Sequence, residues 1–489
     1  MSDQFEVVVV GSGAGGGVIA GELAQRGRSV LLLELGPHRT AADFTRWEAH
    51  AMHDLWWPIR FAMPVGDWGP GPVALIAGRC VGGSTTINTK VAMRADEADL
   101  RKWHQASGLV GAGGEPFGVD DIAPYYERVE RYLGVRPRKD WSDSVRIVER
   151  GFNALGARLE AVESYTDESC MRCGSCLQGC PTNSGKSTQN TYIQQQWALG
   201  RLTVRANSDV RRVLTEEHDG VRAATGVEYL DEAGERHTVA ADAVVVAAGT
   251  LNTPGLLVRS GLDDPLIGQN LGFHPARLVF GLFDEPQDAH MVYPITSHCA
   301  DCRHDADGGF VIEAVTMQDP IGFAVNIQDE RGPMWGEALN AALRRFRYWT
   351  GLLVMVSDDN NGAVLTDENG GEGFTADFQP HEVERIDNAL DFTRRVLEAS
   401  GAKQLAWTGL VTTHIQGSCR MGSDPERSVV DANCEAHTVK RLFVGDGSIV
   451  PRTLSANPSL TIMALATRLA DHLDADRDGY LSRQAAQVA

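Results

Sequence analysis

The first 34 residues constrain the fold more than any other part of the chain. Phe5 to Val10 reads FEVVVV, an apolar run suited to a buried strand. Gly11-Ser-Gly13-Ala-Gly-Gly16 follows and matches G-x-G-x-x-G. A helical stretch from Val18 to Arg26 stops at Gly27, and a second strand, Ser29 to Leu33, leads to Glu34. This strand, turn, helix and strand make a βαβ dinucleotide unit. Gly11 permits the tight turn, Gly13 lets the backbone approach a pyrophosphate, and Gly16 lets the helix pack on the strand. The helix N-terminus turns amide donors and a positive dipole end toward phosphate. Glu34 is placed to accept from an adenosine ribose hydroxyl. Such an acid favours a free 2′-hydroxyl, which FAD and NAD share, so this unit alone does not separate them.

Five further blocks do. Ala77 to Asn88 reads AGRCVGGSTTIN and is followed by Arg94; Gly249 to Gly261 reads GTLNTPGLLVRSG. His414 to Gly422 reads HIQGSCRMG, Leu442 to Pro451 reads LFVGDGSIVP, and Asn457 to Ile462 reads NPSLTI. In this order, from residue 5 to about 475, the chain resembles the glucose-methanol-choline (GMC) family of flavin alcohol oxidoreductases. The resemblance implies an α/β fold: a Rossmann-type FAD-binding domain and a second, discontinuous substrate domain built on a mixed sheet. It places Gly82, Gly83, Ser84 and Asn88 along the flavin, where glycine has no Cβ to hold a flat ring off. It places Val210 near the adenine. Gly249 follows a third Rossmann-like strand, Ala243 to Ala248, and Asp446 and Gly447 lie near the ribityl and pyrophosphate, before a helix from about Ser459 to Leu473. Two departures are visible. Where the family's second signature ends Ser-Gly-Leu-Gly, Ser260-Gly261-Leu262 is followed by Asp263. No histidine lies between Asp54 and Trp103, which argues against a flavin bonded to histidine in that block.

Of fourteen histidines, His414 stands out because it opens the HIQGSCRMG block. The resemblance implies a histidine there facing the flavin, with Asn457 at the partner position. The chemistry asks for that pair. Oxidising an alcohol removes the hydroxyl proton and transfers the carbinol hydride to flavin N5. Imidazole, with a reference pKa of about 6.5, accepts a proton near neutral pH. Asn457 can bind the alkoxide-like oxygen through its amide without competing for the proton. His437 and His274 read as packing or turn residues. The rest of the pocket is expected from about Phe280 to Thr413, with strand-like runs Phe310 to Met317 and Leu352 to Val356. An amphipathic helix is expected near Glu382 to Ala399.

Six of nine cysteines fall in two clusters. Cys170-x2-Cys173-x2-Cys176-x3-Cys180-Pro181 has the bacterial ferredoxin spacing. In two-cluster ferredoxins the fourth cysteine of such a run serves the other cluster. His298-Cys299-Ala-Asp-Cys302-Arg-His304 is therefore a source of a missing ligand. Three readings stand open. One is an iron–sulfur cluster on Cys170, Cys173 and Cys176 with Cys180 or one of Cys299 and Cys302. Another is a zinc ion between two C-x2-C knuckles. The last is free thiols or disulfides. Near the C-terminus, Asp474 to Leu481 resembles half a calcium loop, but Ala485 stands where the loop's closing glutamate belongs.

The net charge of −20 argues against nucleic acid, which needs a basic face. It suits a soluble surface and leaves room for a cationic substrate. No apolar run reaches the roughly 18 residues of a membrane span, and the N-terminus shows no leader pattern, which points to the cytoplasm. The expected domains are FAD binding (1–45, 70–100, 200–275 and 438–475), a cysteine-containing connection (101–199), a substrate domain (276–437) and a tail (476–489). The expected activity is FAD-dependent oxidation of a CH–OH group of a small-molecule alcohol, with electrons passed to O2, a quinone or dye, or a redox protein. A sugar or aminosugar alcohol is the leading substrate, with long-chain or aromatic alcohols as alternatives. Of other classes, a flavin/iron–sulfur electron-transfer subunit without its own substrate is opposed by His414 and Asn457, and an NAD(P) dehydrogenase by the flavin blocks.

Overall fold

The computed structural model describes residues 4–65, 71–315, 320–367 and 372–475. The apolar run near the N-terminus forms the strand Gln4–Val10, the glycine turn leads into the helix Gly16–Gln25, and the next strand is Val30–Leu33. Leu202–Arg205, Val30–Leu33, Gln4–Val10 and the end of Arg236–Val246 run parallel, and Leu442–Val444 completes the row. Parallel strands covered on both faces are apolar throughout, as Val30–Leu33 is. Arg236–Val246 is longer than the strand expected from its apolar end. Its first half pairs antiparallel with Val221–Leu230, which pairs in turn with Asp209–His218. This meander carries Val210 to the rim of the sheet.

The second sheet is mixed and, among the described residues, larger. Its order runs Ala363–Thr366, Glu372–Ala376, Arg60–Pro64, Val73–Leu75, Leu410–Thr412, Ala276–Leu282, Trp349–Val356, Phe310–Val315, Ile295–Cys299 and Glu160–Ala161. Two of these pairings are parallel, Glu372–Ala376 with Arg60–Pro64 and Leu410–Thr412 with Val73–Leu75. The helix Pro380–Ala399 packs on the central strands and against Asp143–Ala154. Pro380 sits at its first turn, and Glu382 accepts from the Gln379 amide at 2.7 Å, closing the N-terminus.

The two cores divide the chain differently from the expected segments. Val73–Leu75, placed by sequence in the first domain, is a strand of the second sheet. A short apolar run shows that a strand is buried but not in which sheet. The connection 101–199 is also shared. Ile122, Tyr126 and Val129 join the first core, whereas Val145, Val148 and Phe152 join the second. The helix Ser459–Ala475 packs against both Gly16–Gln25 and Val119–Leu133. The tail 476–489, which holds most of the calcium-like segment, lies outside the described residues, as do the last two residues of the run expected to end at Met317. Among the described residues no helix is long and apolar enough to cross a membrane.

Helix and sheet meet at Gly15. A Cβ added there would lie 1.6 Å from the Gly445 carbonyl oxygen, which belongs to backbone and cannot swing aside. Gly15→Ala is expected to cost about 1–3 kcal/mol or more of stability. Denaturant unfolding of the purified variant against the parent measures it.

Candidate active site

A cavity of about 1080 Å³ runs between the two sheets, from Glu34 and Val210 at one end to His414 and Asn457 at the other. Gly11, Gly13, Gly83, Ser84, Asn88, Gly249, Asp446 and Gly447 line it between those ends. Gly16 and Gly82 lie behind the lining. At Gly16 a Cβ would sit 2.0 Å from the Gly11 carbonyl oxygen. The Gly82 amide donates to Ser12 Oγ at 2.9 Å.

The glycines fall into two kinds. Gly11 has φ +95°, and a Cβ there would meet the Ala247 carbonyl oxygen at 2.2 Å. Gly83 sits against Gly13, with its Cβ position 2.9 Å from Gly13 Cα. These positions are closed by protein. A Cβ on Gly13 would meet nothing within 4 Å, yet Gly13 faces the cavity. Nothing in the protein forbids a side chain there, so the open space is a cradle for a ligand held against the backbone. This fits the phosphates of a dinucleotide at the start of a helix.

Two buried carboxylates hold the surrounding loops. Glu34 accepts from the Ser12 amide at 3.0 Å and the Ser12 hydroxyl at 2.6 Å, and from the Gly36 amide at 2.8 Å. Burial pushes its pKa up, against these hydrogen bonds. Asp446 accepts from the Gly249 amide at 2.8 Å, the Thr253 hydroxyl at 2.6 Å and the Ser448 amide at 2.8 Å. The two acids fasten the very loops that face the ligand. Asn88 donates to the Tyr165 hydroxyl at 2.7 Å, which fixes its amide at the cavity wall.

At the other end, His414 and His274 are a pair. Their Nδ1 atoms lie 3.1 Å apart, and both rings line the cavity. Burial lowers the pKa of His414 to about 4 and that of His274 well below its usual value. His274 is held in a left-handed conformation, φ +46°, because buried Asp358 accepts from the Phe273 and His274 amides at 2.8 and 3.0 Å. The reading of His274 as a packing or turn residue is therefore incomplete: it turns the chain and also touches His414. Its signal, a histidine before proline, was too weak to find it. His437 bonds Ser428 at 3.0 Å and lies outside the cavity lining.

Asn457 lines the cavity beside Glu313, a second residue that the motifs did not reveal. Its signal was present, since Phe310–Val315 reads FVIEAV, a lone acid in an otherwise apolar strand whose six residues are all buried. Around it the cavity wall is apolar, formed by Ala276, Leu278, Ile295, Val315, Leu353 and Met355.

The cysteines split into two places. Cys170, Cys173 and Cys180 all face Cys176 electrostatically, and Lys90 faces Cys176 and Cys180. Lys90 and Leu177 also line the cavity, so this loop backs onto it. Lys90 is buried, donates to the Thr85 carbonyl, and has its pKa lowered by burial to about 8. Tyr293 lies beside Cys176. Cys299 is buried in the second core with Cys302 against it. The charges that bear on Cys299 and Cys302 are those of their own loop, Asp301 and Asp307 among them, and no cysteine of the first run is among them, so nothing in the structure supports their expected role as ligands alongside Cys170, Cys173, Cys176 and Cys180. Zinc needs sulfurs within about 4 Å of one another, as its 2.3 Å bonds require. Among the described residues the tight groups of ligand atoms are Asp231–Glu235–His237 and Asp359–His381–Glu382, with no cysteine in either. Nothing in this arrangement supports a zinc ion between the two knuckles.

The sequence is 27% identical to a long-chain-alcohol oxidase of Arabidopsis thaliana, over 95% of this chain and 66% of that protein. It is 27% identical to paromamine 6′-oxidase of Streptomyces fradiae, over 99% of this chain and 93% of that protein. Its fold is similar to the crystal structure of pyridoxine 4-oxidase from Mesorbium loti, with a TM-score of 0.74 and 20% identity over 96% of this chain and 99% of that one. The protein is an FAD-dependent oxidoreductase acting on alcohols. It belongs to the GMC oxidoreductase family, which it matches over residues 5–276 and again over 373–466.

The cradle at Gly13 yields a clean separation. Gly13→Ala is expected to leave the unfolding stability of the apoprotein unchanged and to weaken FAD binding roughly 10- to 100-fold, the equivalent of a steric cost of about 1–3 kcal/mol. Titration of apoprotein with FAD, followed by flavin fluorescence, checks it.

Proposed function

We propose that the protein oxidises an alcohol with an apolar body to a carbonyl, with His414 as the base and Asn457 as the group that binds the reacting oxygen. The observation that carries this is the 3.1 Å contact between His414 and His274 at the edge of an apolar wall. FAD, when bound, accepts the carbinol hydride. Gly13 and the surrounding amides would hold its phosphates, and Val210 and Glu34 line the cavity end where its adenosine would lie.

The histidine pair selects a tautomer. If His414 Nδ1–H donates to His274 Nδ1, the lone pair of His414 Nε2 is free to accept the hydroxyl proton. The protonated ring keeps that same donor bond, so His274 stabilises the charge as it forms. Burial holds His414 neutral down to about pH 4, so the base is ready across the neutral range. Asn457 offers its amide to the oxygen that loses the proton. His414→Ala is expected to lower kcat by about 10²- to 10⁴-fold with FAD content unchanged. In the parent, kcat/KM should rise as the pH passes about 4, because the neutral ring is the active form. Stopped-flow bleaching of the flavin under anaerobic conditions measures both. A loss below tenfold in the alanine variant would remove His414 from this role.

An apolar wall favours an aliphatic or aromatic alcohol, since a polyhydroxylated sugar needs many polar partners to replace its water. Similarity to a long-chain-alcohol oxidase supports the same choice. A second reading, an aminosugar alcohol, is supported by the net charge of −20 and by similarity to paromamine 6′-oxidase. Anaerobic bleaching by decan-1-ol, benzyl alcohol and paromamine, side by side, decides between them.

Electrons then leave to an external acceptor. Cys170, Cys173, Cys176 and Cys180 would hold an iron–sulfur cluster, which would pass electrons on singly. Support comes from three free thiols, Cys170, Cys173 and Cys180, that bear on the free thiol of Cys176, with the Lys90 cation beside Cys176 and Cys180 to offset negative charge. Cys176→Ser is expected to remove bound iron and slow turnover with a dye acceptor, while leaving bleaching by alcohol intact. Elemental analysis that finds no iron in the parent, purified anaerobically, would leave these residues as free thiols and put O2 forward as the acceptor.

A further inference from the structure

Glu313 and the Asn457 amide face each other behind the reacting centre, with no well-formed hydrogen bond on either Glu313 oxygen or on Asn457 Oδ1. Glu313 is fully buried, and neither of its carboxylate oxygens has a hydrogen-bond partner. The Asn457 side-chain amide faces it, and Asn457 Oδ1 is also buried without a partner. An ionised carboxylate and an amide oxygen can only accept, so together they repel. A carboxylic acid has one O–H and satisfies both groups at once.

We infer that Glu313 is a neutral carboxylic acid that donates to Asn457 Oδ1 and so turns the Asn457 amide nitrogen toward the oxygen of the substrate. Glu313 is then a positioning residue acting through Asn457. This rests on the role of Asn457 proposed above.

The surroundings keep the acid neutral. Glu313 sits in the strand Phe310–Val315 opposite Leu353 on one side and His298 on the other. Among the described residues no cation faces it, and the Asn457 amide is the one polar group that bears on its charge. His298 across the strands, and His274 and His414 on the cavity, are the titratable groups around it. Burial lowers all three, so they stay uncharged where Glu313 titrates. Arg303, the cation near His298 and His274, is engaged by Asp96, Asp99 and Ser455. Burial raises the pKa of Glu313 to about 7, with the Asn457 amide drawing it back in part. Below that pH the donor is present, and above it the proton leaves and the Asn457 amide loses its anchor.

The amide could also be turned over, with its nitrogen on an ionised Glu313 and its oxygen facing the substrate. That arrangement survives a rise in pH, so a pH series separates the two. The experiment compares holoenzyme of the parent, Glu313→Gln, Glu313→Leu and Asn457→Ala, with decan-1-ol as the alcohol. The parent kcat/KM should fall about tenfold per pH unit above about 7. Glu313→Gln keeps a donor that cannot ionise, so it should lose that fall and retain more kcat than Glu313→Leu. Glu313→Leu should lower kcat by roughly tenfold or more at pH 6, with KM little changed, and the gap to the parent should close above about pH 7 as the parent loses the same donor. Infrared difference spectra give a readout free of substrate: the carbonyl stretch of a protonated carboxylic acid, present at pH 6 in the parent and absent in Glu313→Gln. An alkaline fall that persists in Glu313→Gln, or no such band in the parent, overturns the inference. Full activity in Asn457→Ala would instead remove the role of Asn457. If decan-1-ol does not bleach the flavin, the substrate reading fails and the infrared result alone decides Glu313.

Discussion

Around the glycine turn, separate stretches of backbone approach one another so closely that they set the shape of everything built on them. Gly11 touches Ala247, Gly15 touches Gly445, and Gly83 touches Gly13, each at a distance that no Cβ allows. Backbone packed this tightly leaves amides that need acceptors, because a buried N–H without one is costly. Glu34 and Asp446 supply them. The two acids expected to serve a cofactor thus act first as fasteners of the loops that form its site. One packing constraint sets both the shape of the cavity and the position of its polar groups.

The reacting end follows a different rule. There much of the wall is apolar, and several polar atoms, on Glu313, Asn457 and His274, are buried without a hydrogen bond. Removal from water disfavours every charged form, so His274 and His414 are both held neutral and Glu313 is pushed toward its acid form. A weakly solvated site makes each remaining hydrogen bond count for more.

The cysteine loop stands between these two regimes. It backs onto the cavity through Lys90 and Leu177, while Cys299 and Cys302 are packed in the second core. Spacing in the chain showed that Cys170 to Cys180 could gather. It could not show that Cys299 would end a strand of the second sheet, with Cys302 packed against the same core.

The nucleotide half is legible along the chain. Its information there is local: a strand, a turn, a helix and an acid within 34 residues, each with a spacing that admits few alternatives. The His414 and Asn457 blocks were legible for the same reason, as short motifs in a fixed order. Tertiary structure alone decided what those residues touch. His274 lies 140 residues from His414, and Glu313 lies 144 from Asn457, so no window along the chain joins either pair. The membership of Val73–Leu75 in the second sheet and the division of residues 101–199 between two cores were decided the same way. Side-chain pattern records whether a residue is buried, and only the folded chain records against what.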